Sequence, residues 1–172
     1  MTPIPPQVRA KMASDIMAAG LLAQRQSPRP SIVAPLDFNS RVDGSAGNWA
    51  CWPWRGRLGS HGYGVVRVRD AGWPTTVGVH RVAYYLATGF WSTHLRRGTV
   101  RKVIRHLCHN KACCNPRHLL VGSFGDNAWD DLMRQRGVDL VAVRMLVGEG
   151  PFLPVAGIAD DPFPASRGRV FA

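Results

Sequence analysis

Apolar residues recur at helical spacing near the start of the chain. Val8, Met12 and Ile16 follow one another at intervals of four, which predicts an amphipathic helix over residues 7–23. Gly20 lies inside this pattern and is expected to weaken or break the helix, because glycine is a poor helix former.

Residues 61–80 instead alternate between apolar and polar side chains. Val66 and Val68 share one face of the predicted strand, and Arg67 and Arg69 share the other. A glycine-containing turn then reverses the chain, so the pattern predicts a β-hairpin with one apolar and one basic face. Such a two-stranded ribbon fits the DNA major groove. The alternative is an ordinary solvated strand face.

Three further elements are predicted in the second half of the chain. Residues 80–88 predict a short helix, and residues 99–108 predict a strand. Ser123 followed by Asp126 is a variant of the capping box, which predicts the start of a helix that ends at Gly137.

Candidate chemistry is concentrated in residues 105–127, which contain three of the 4 cysteines and three of the 6 histidines. Cys108, Cys113 and His118 are spaced C-x4-C-x4-H, and thiolates and imidazoles are the ligands that tetrahedral Zn²⁺ selects. A structural zinc site has four protein ligands. Cys51 is the predicted fourth ligand, and the alternative is that it is a free buried cysteine.

Two polar residues lie beside this predicted zinc site. His106 precedes Cys108 by two residues, so the two side chains share a face of an extended segment. Asn127 falls in the first turn of the predicted helix or just after it. The simplest interpretation is a zinc-stabilised loop that holds a reactive histidine next to a helix that carries Asn127.

The formal net charge is +11, and the excess of basic residues lies around these motifs. Residues 55–136 contain fourteen of the 22 Lys and Arg residues but only four of the 11 Asp and Glu residues. This clustering indicates a polyanionic partner, whereas a genome rich in Arg codons would explain only the Arg content. No apolar run reaches membrane-spanning length and no signal peptide is recognisable. We therefore expect a soluble intracellular protein without a membrane partner.

The chain resembles the His-Cys box homing endonucleases within the wider group of HNH, or His-Me finger, nucleases. The likeness covers residues 49–137. It is carried by HLCHN at 106–110, Cys113, Asn115-Pro116, His118-Leu119 and Asp126-Asn127, with CWPWRG, GYG and VHRVAY before them.

The resemblance implies an α+β fold, in which an antiparallel β-hairpin precedes a zinc-stapled ββα-metal core. It implies that His106 is the general base and that Asn127 holds one catalytic Mg²⁺ per site. It implies one structural Zn²⁺ per chain, bound by Cys51, Cys108, Cys113 and His118. The implied reaction is hydrolysis of double-stranded DNA to 5′-phosphate and 3′-hydroxyl ends, without an organic cofactor.

Two departures from the family pattern affect these expectations. Residues 128–172 contain neither Cys nor His, so the family's second zinc site is absent. The family also contacts the scissile phosphate through an arginine near the hairpin. Thr76 lies nearest to that position here, so the role is lost or is taken by a neighbour such as Arg69 or Arg81.

These expectations define a set of candidate DNA contacts, namely Arg67, Arg69, Thr76 and Arg81. Arg81 and the preceding His80 could equally be ordinary surface residues. Cys114 and His109 flank the expected ligands, and we interpret them as surface or supporting residues, although Cys114 could replace a neighbouring ligand.

The predicted domain organisation has three parts. Residues 1–47 form an N-terminal helix and linker, residues 48–137 form the nuclease core, and residues 138–172 form a C-terminal tail. The tail contains apolar residues that a partner subunit could bury, which predicts a homodimer, and the alternative is packing on its own domain. The competing functional hypothesis is a zinc-stabilised DNA-binding protein without catalysis, and an RNA target is a third.

Overall fold

The computed structural model describes residues 4–25, 32–33, 37–70, 73–91 and 102–148. The predicted first helix is present as α1, Pro6–Arg25, and it continues through Gly20 instead of ending there. Val8, Met12 and Ile16 are buried as their spacing predicted, and together they fix one face of α1 against the core.

The predicted hairpin is present, but it belongs to a sheet of three strands. The strands are β1 (Ile32–Val33), β2 (Val65–Asp70) and β3 (Trp73–Gly78), in the order β1-β2-β3 and all antiparallel. The hairpin formed by β2 and β3 was predicted, whereas β1, from the predicted linker, adds a short third strand that pairs with the last two residues of β2. Val66 and Val68 are buried and Arg67 and Arg69 are exposed, as the alternation predicted.

The second half of the chain forms a ββα unit between two further helices. The elements are α2 (Val79–Thr88), β4 (Val103–His106), β5 (Leu119–Gly122), α3 (Phe124–Gln135) and α4 (Leu140–Val147). Strands β4 and β5 are antiparallel, and His106 lies opposite Leu119. The zinc loop, residues 107–118, joins these strands. This arrangement confirms the predicted α+β fold.

Helix α4 was not predicted, and a buried arginine attaches it to the zinc loop. The guanidinium of Arg144 donates hydrogen bonds to three backbone carbonyls. The N···O distances are 3.4 Å to Pro116, 2.8 Å to Arg117 and 2.7 Å to Leu119. Because these carbonyls accept bonds from a charged donor, Arg144 stabilises the C-terminal end of the zinc loop and the first residue of β5.

None of the described helices has the length and apolar character that a membrane crossing requires. Residues 149–172, on which the dimerisation prediction rests, lie outside the part of the chain that the structure describes.

Candidate metal centre and active site

The four predicted zinc ligands come together in one cluster. The ligand atoms of Cys51, Cys108, Cys113 and His118 all lie within 4.8 Å of one another. His118 Nδ1 is 3.5 Å from the Cys51 sulfur and 3.6 Å from the Cys113 sulfur. A tetrahedral site with Zn–S of about 2.3 Å and Zn–N of about 2.0 Å has S···N edges of about 3.5 Å, so the cluster fits Zn²⁺.

Cys51 reaches the cluster because its segment pairs with the zinc loop. The amide of Trp54 donates to the Ala112 carbonyl at 2.9 Å, and the amide of Cys114 donates to the Trp52 carbonyl at 2.8 Å. This pairing brings a cysteine that is 57 positions away in sequence beside Cys108. The geometry therefore favours Cys51 as the fourth ligand over the alternative of a free buried cysteine.

The ring of His118 is oriented by a hydrogen bond on its far side. Its Nε2–H donates to the carbonyl oxygen of Trp49 at 3.1 Å, which leaves the Nδ1 lone pair facing the sulfurs. Metal-binding histidines usually have such a partner on the other ring nitrogen, because it fixes the tautomer.

Asn115 holds the two segments of the site together. Its side-chain amide donates to the carbonyls of Asn48 at 2.8 Å and Ala50 at 2.7 Å. Its side-chain oxygen accepts a bond from the Arg117 amide at 2.9 Å. All of these polar groups are satisfied inside the protein, so Asn115 links the segment that carries Cys51 to the segment that carries His118.

The thiols need a cation in order to ionise. The pKa of Cys108 is raised mainly by its hydrogen bond with Cys113 and also by burial. The pKa of Cys51 is raised mainly by burial and also by the neighbouring Cys108. Thiolates are the form that binds zinc, so metal binding would displace these protons.

Cys114 does not join the cluster. It is fully buried in the hydrophobic core, and burial raises its pKa to about 12. It is therefore a core residue, neither a surface residue nor a substitute ligand in this arrangement. Sequence spacing alone left this open because Cys113 and Cys114 are adjacent.

His106 lies at the end of β4 and is oriented by the zinc loop. Its Nε2–H donates to the carbonyl oxygen of Cys113 at 3.2 Å, so the lone pair is on Nδ1. Burial lowers the pKa of His106 to about 4, although the bond to Cys113 opposes that shift. The imidazole is thus neutral at neutral pH, the state in which it can accept a proton.

Asn127 is the fourth residue of α3, and the capping box fixes the turn that carries it. The Ser123 hydroxyl accepts a bond from the Asp126 amide at 3.1 Å, and the Asp126 carboxylate accepts one from the Ser123 amide at 2.8 Å. The side chain of Asn127 is exposed and makes no hydrogen bond to the described residues. Its amide oxygen is thereby accessible to a hard cation, which prefers oxygen ligands.

The path of α3 brings its first turns back along β4. Asp130 forms an ion pair with Arg105 on β4, and Asp131 lies 3.5 Å from the Nδ1 of His109. Because Asn127 precedes Asp131 by four residues, the two side chains share a face of the helix. Asn127 therefore lies one helical turn before Asp131, and Asp131 contacts His109, three residues after His106.

The comparisons with known proteins agree with this geometry. Residues 50–130 match a family model that describes the zinc-binding loop region of homing endonuclease. The matched segment includes all four proposed zinc ligands, His106 and Asn127. The resemblance read from the motifs is thus confirmed for this segment.

A curated relative extends the comparison beyond the family model. Protein 2.8 of Escherichia phage T7 is 31% identical over 86 residues, which is 50% of this chain and 52% of that protein. The chain thus spans about half the length of this relative. No solved structure is significantly similar to the chain.

The homing-endonuclease-type segment contains a histidine that sequence reasoning did not assign. The His80 ring lies 4.7 Å from the His106 ring, measured between centroids, and Tyr63 lies 5.6 Å from His80 and 6.0 Å from His106. His80 Nδ1 is buried and has no hydrogen-bond partner among the described residues. Burial, followed by the charges of His106 and Arg81, lowers the pKa of His80 to about 3.

The only sequence signal for this position is a glycine two residues earlier. A Cβ atom on Gly78 would lie 2.5 Å from Cε1 of the His80 ring, so the ring can fold back only where no side chain is present. His80 is therefore a neighbour of the candidate base and not the ordinary surface residue that was the alternative.

The candidate DNA contacts fall into two groups. Arg67, Arg69 and Thr76 are exposed on the hairpin, and Arg67 lies directly opposite Thr76. Arg81 is half-buried, and its guanidinium carbon lies 4.8 Å from the centroid of the Trp91 ring. The hairpin thus carries an exposed basic face, whereas Arg81 lies on α2 and stacks on Trp91.

Proposed function

We propose that this chain is a Mg²⁺-dependent DNA endonuclease that hydrolyses phosphodiester bonds to 5′-phosphate and 3′-hydroxyl ends. The observation that supports it most is that one ββα unit carries both a neutral, oriented His106 and an exposed Asn127. A zinc-binding scaffold alone needs neither residue, because neither is a ligand of the cluster.

The proposed chemistry divides between these two side chains. Nδ1 of His106 accepts a proton from the attacking water, whose oxygen forms the new bond to phosphorus while the bond to the 3′ oxygen breaks. The amide oxygen of Asn127 would hold the Mg²⁺ ion, which when bound stabilises negative charge on the phosphate and the leaving oxygen. The buried environment of His106 keeps its imidazole free of a competing proton.

The experiment that tests the function is cleavage of supercoiled plasmid DNA with Mg²⁺ and with EDTA, followed by mapping of the ends. Asn127→Ala should weaken the Mg²⁺ dependence and reduce the cleavage rate severely, because it removes the proposed metal ligand. Binding to uncut DNA in Ca²⁺ should remain. Asn48→Ala is the control, because Asn48 is exposed and the bond from Asn115 is accepted by its backbone carbonyl, which the substitution keeps.

Two results would argue against this proposal. An Asn127→Ala protein with an unchanged Mg²⁺ titration curve would remove Asn127 from the site. A wild-type protein that binds DNA but never cleaves it would favour the alternative of a zinc-stabilised DNA-binding protein.

The exposed hairpin face is the proposed DNA-contacting surface. Arg67→Ala and Arg69→Ala should each weaken binding and reduce the slope of log K against log salt by about 1, because each cation releases counterions from the DNA. The measurement is a fluorescence-anisotropy titration over a salt series. Arg9→Ala, on the exposed side of α1, is the control. Unchanged affinity and slope in both hairpin variants would show that DNA binds elsewhere.

A further inference from the structure

We propose that helix α1 positions Asn127, and that Lys11 is the residue through which it acts. This inference rests on the proposed function, since it concerns the geometry of the proposed metal ligand. Helix α1 lies outside residues 50–130, so the match to homing endonuclease does not cover it.

Lys11 contacts the residue that immediately precedes Asn127. Its Nζ lies 2.8 Å from Oδ1 of Asp126 and 3.1 Å from Asp15, one turn along α1. It also lies 5.1 Å from the centroid of the Trp129 ring, which places the ammonium group between two side chains of α3. Lys11 is thus held on three sides, and it is not a freely rotating surface lysine.

The two oxygens of Asp126 have separate partners. Oδ1 receives Lys11, and Oδ2 receives both the amide and the hydroxyl of Ser123, each at 2.8 Å. Burial opposes ionisation, but the bonds with Lys11 and Ser123 hold the pKa of Asp126 below its ordinary value. The carboxylate therefore connects α1 to the helix cap, and this fixes the rotation of the turn that presents Asn127.

A second ionic contact fixes α1 against the other catalytic element. The side chain of Arg105, which precedes His106, is fully buried between Asp15 on α1 and Asp130 on α3. Burial raises the pKa of Asp130 to about 6, with Arg105 opposing the shift. Helix α1 thus contacts the residue before His106 as well as the residue before Asn127.

Three possible roles of Lys11 predict different changes in metal affinity when its charge is removed. Removing the positive charge of Lys11 would by itself strengthen cation binding nearby, because opposite charges attract. A residue that only adds stability would leave metal affinity unchanged at a temperature where the variant is folded. A positioning residue would weaken metal binding on removal, and only this outcome matches the proposal.

The test uses Lys11→Met in the full chain, which keeps the aliphatic stem over Trp129 but removes the charge. NMR signals of the Asn127 side-chain amide, followed during a Mn²⁺ titration, measure metal affinity without turnover. We expect the dissociation constant to rise by about 10-fold or more, as for the loss of residues that orient a metal ligand. Lys11→Arg should restore it, and Arg9→Met, a neutralisation on the exposed side of α1, should not change it.

The outcomes separate this inference from the function on which it rests. A wild-type dissociation constant in Lys11→Met, or a lower one, would overturn the role of Lys11 while leaving the nuclease proposal intact. Absence of Mn²⁺ effects at Asn127 in the wild-type protein would overturn both proposals together.

Discussion

His106→Ala is expected to reduce the rate of DNA cleavage by about 10²–10⁴-fold, the usual effect of losing a general base. The reason is that Nδ1 of His106 is the proposed acceptor for the water proton, while Nε2–H donates to the Cys113 carbonyl. Single-turnover cleavage with saturating enzyme measures this rate separately from DNA binding. Zinc content and the affinity for uncut DNA in Ca²⁺ should stay close to wild type.

The control for this variant is His61→Ala, because His61 is exposed and, among the described residues, bonds only through its backbone carbonyl, which accepts from Lys111. It should cleave at the wild-type rate. The thermal unfolding midpoint must be measured for both variants, since His106 also fills space beside His80. A folded His106→Ala protein that cleaves at the wild-type rate would remove His106 from the mechanism.

The parts of the site that depend on local spacing were predictable from the sequence. Ligands in a short loop, such as Cys108, Cys113 and His118, are constrained by the loop itself, so their spacing indicates their partner. The helix that presents Asn127 was predictable for the same reason, because Ser123 and Asp126 form a capping box within four residues.

The parts that depend on long-range packing were not predictable in the same way. His80 lies next to His106 only because α2 packs against β4, and nothing within the local sequence of α2 encodes that contact. The ion pair of Lys11 with Asp126 spans 115 positions, and an isolated lysine on an amphipathic helix is ordinarily a solvated residue. Helix α4 was missed because its apolar run has no clear periodicity, although Asp139 caps it.

One residue couples the zinc cluster to His106, the proposed general base. Cys113 contributes its sulfur to the cluster and its backbone carbonyl to the Nε2 of His106. The carbonyl can orient His106 only while the loop is folded, and the loop is only twelve residues long with no strand or long helix of its own. Zinc loss should therefore disable cleavage even when Mg²⁺ is abundant.

Cys113→Ala should accordingly lose its zinc, its cooperative unfolding transition and its cleavage activity together. Structural zinc contributes about 10–16 kcal/mol of apparent binding free energy in small zinc domains, which is as large as the whole unfolding free energy of a typical domain, about 5–15 kcal/mol. Cys114→Ala, the adjacent buried cysteine outside the cluster, should keep one zinc per chain and fold, with only the cost of a small cavity. Elemental analysis and circular-dichroism melting of both variants measure these differences.

Because EDTA removes both metals, restoring Mg²⁺ alone to chelated wild-type protein should fail, whereas restoring both ions should recover cleavage. Full zinc content in Cys113→Ala, or its loss in Cys114→Ala, would contradict the assignment of Cys113 as the ligand that links the zinc site to His106.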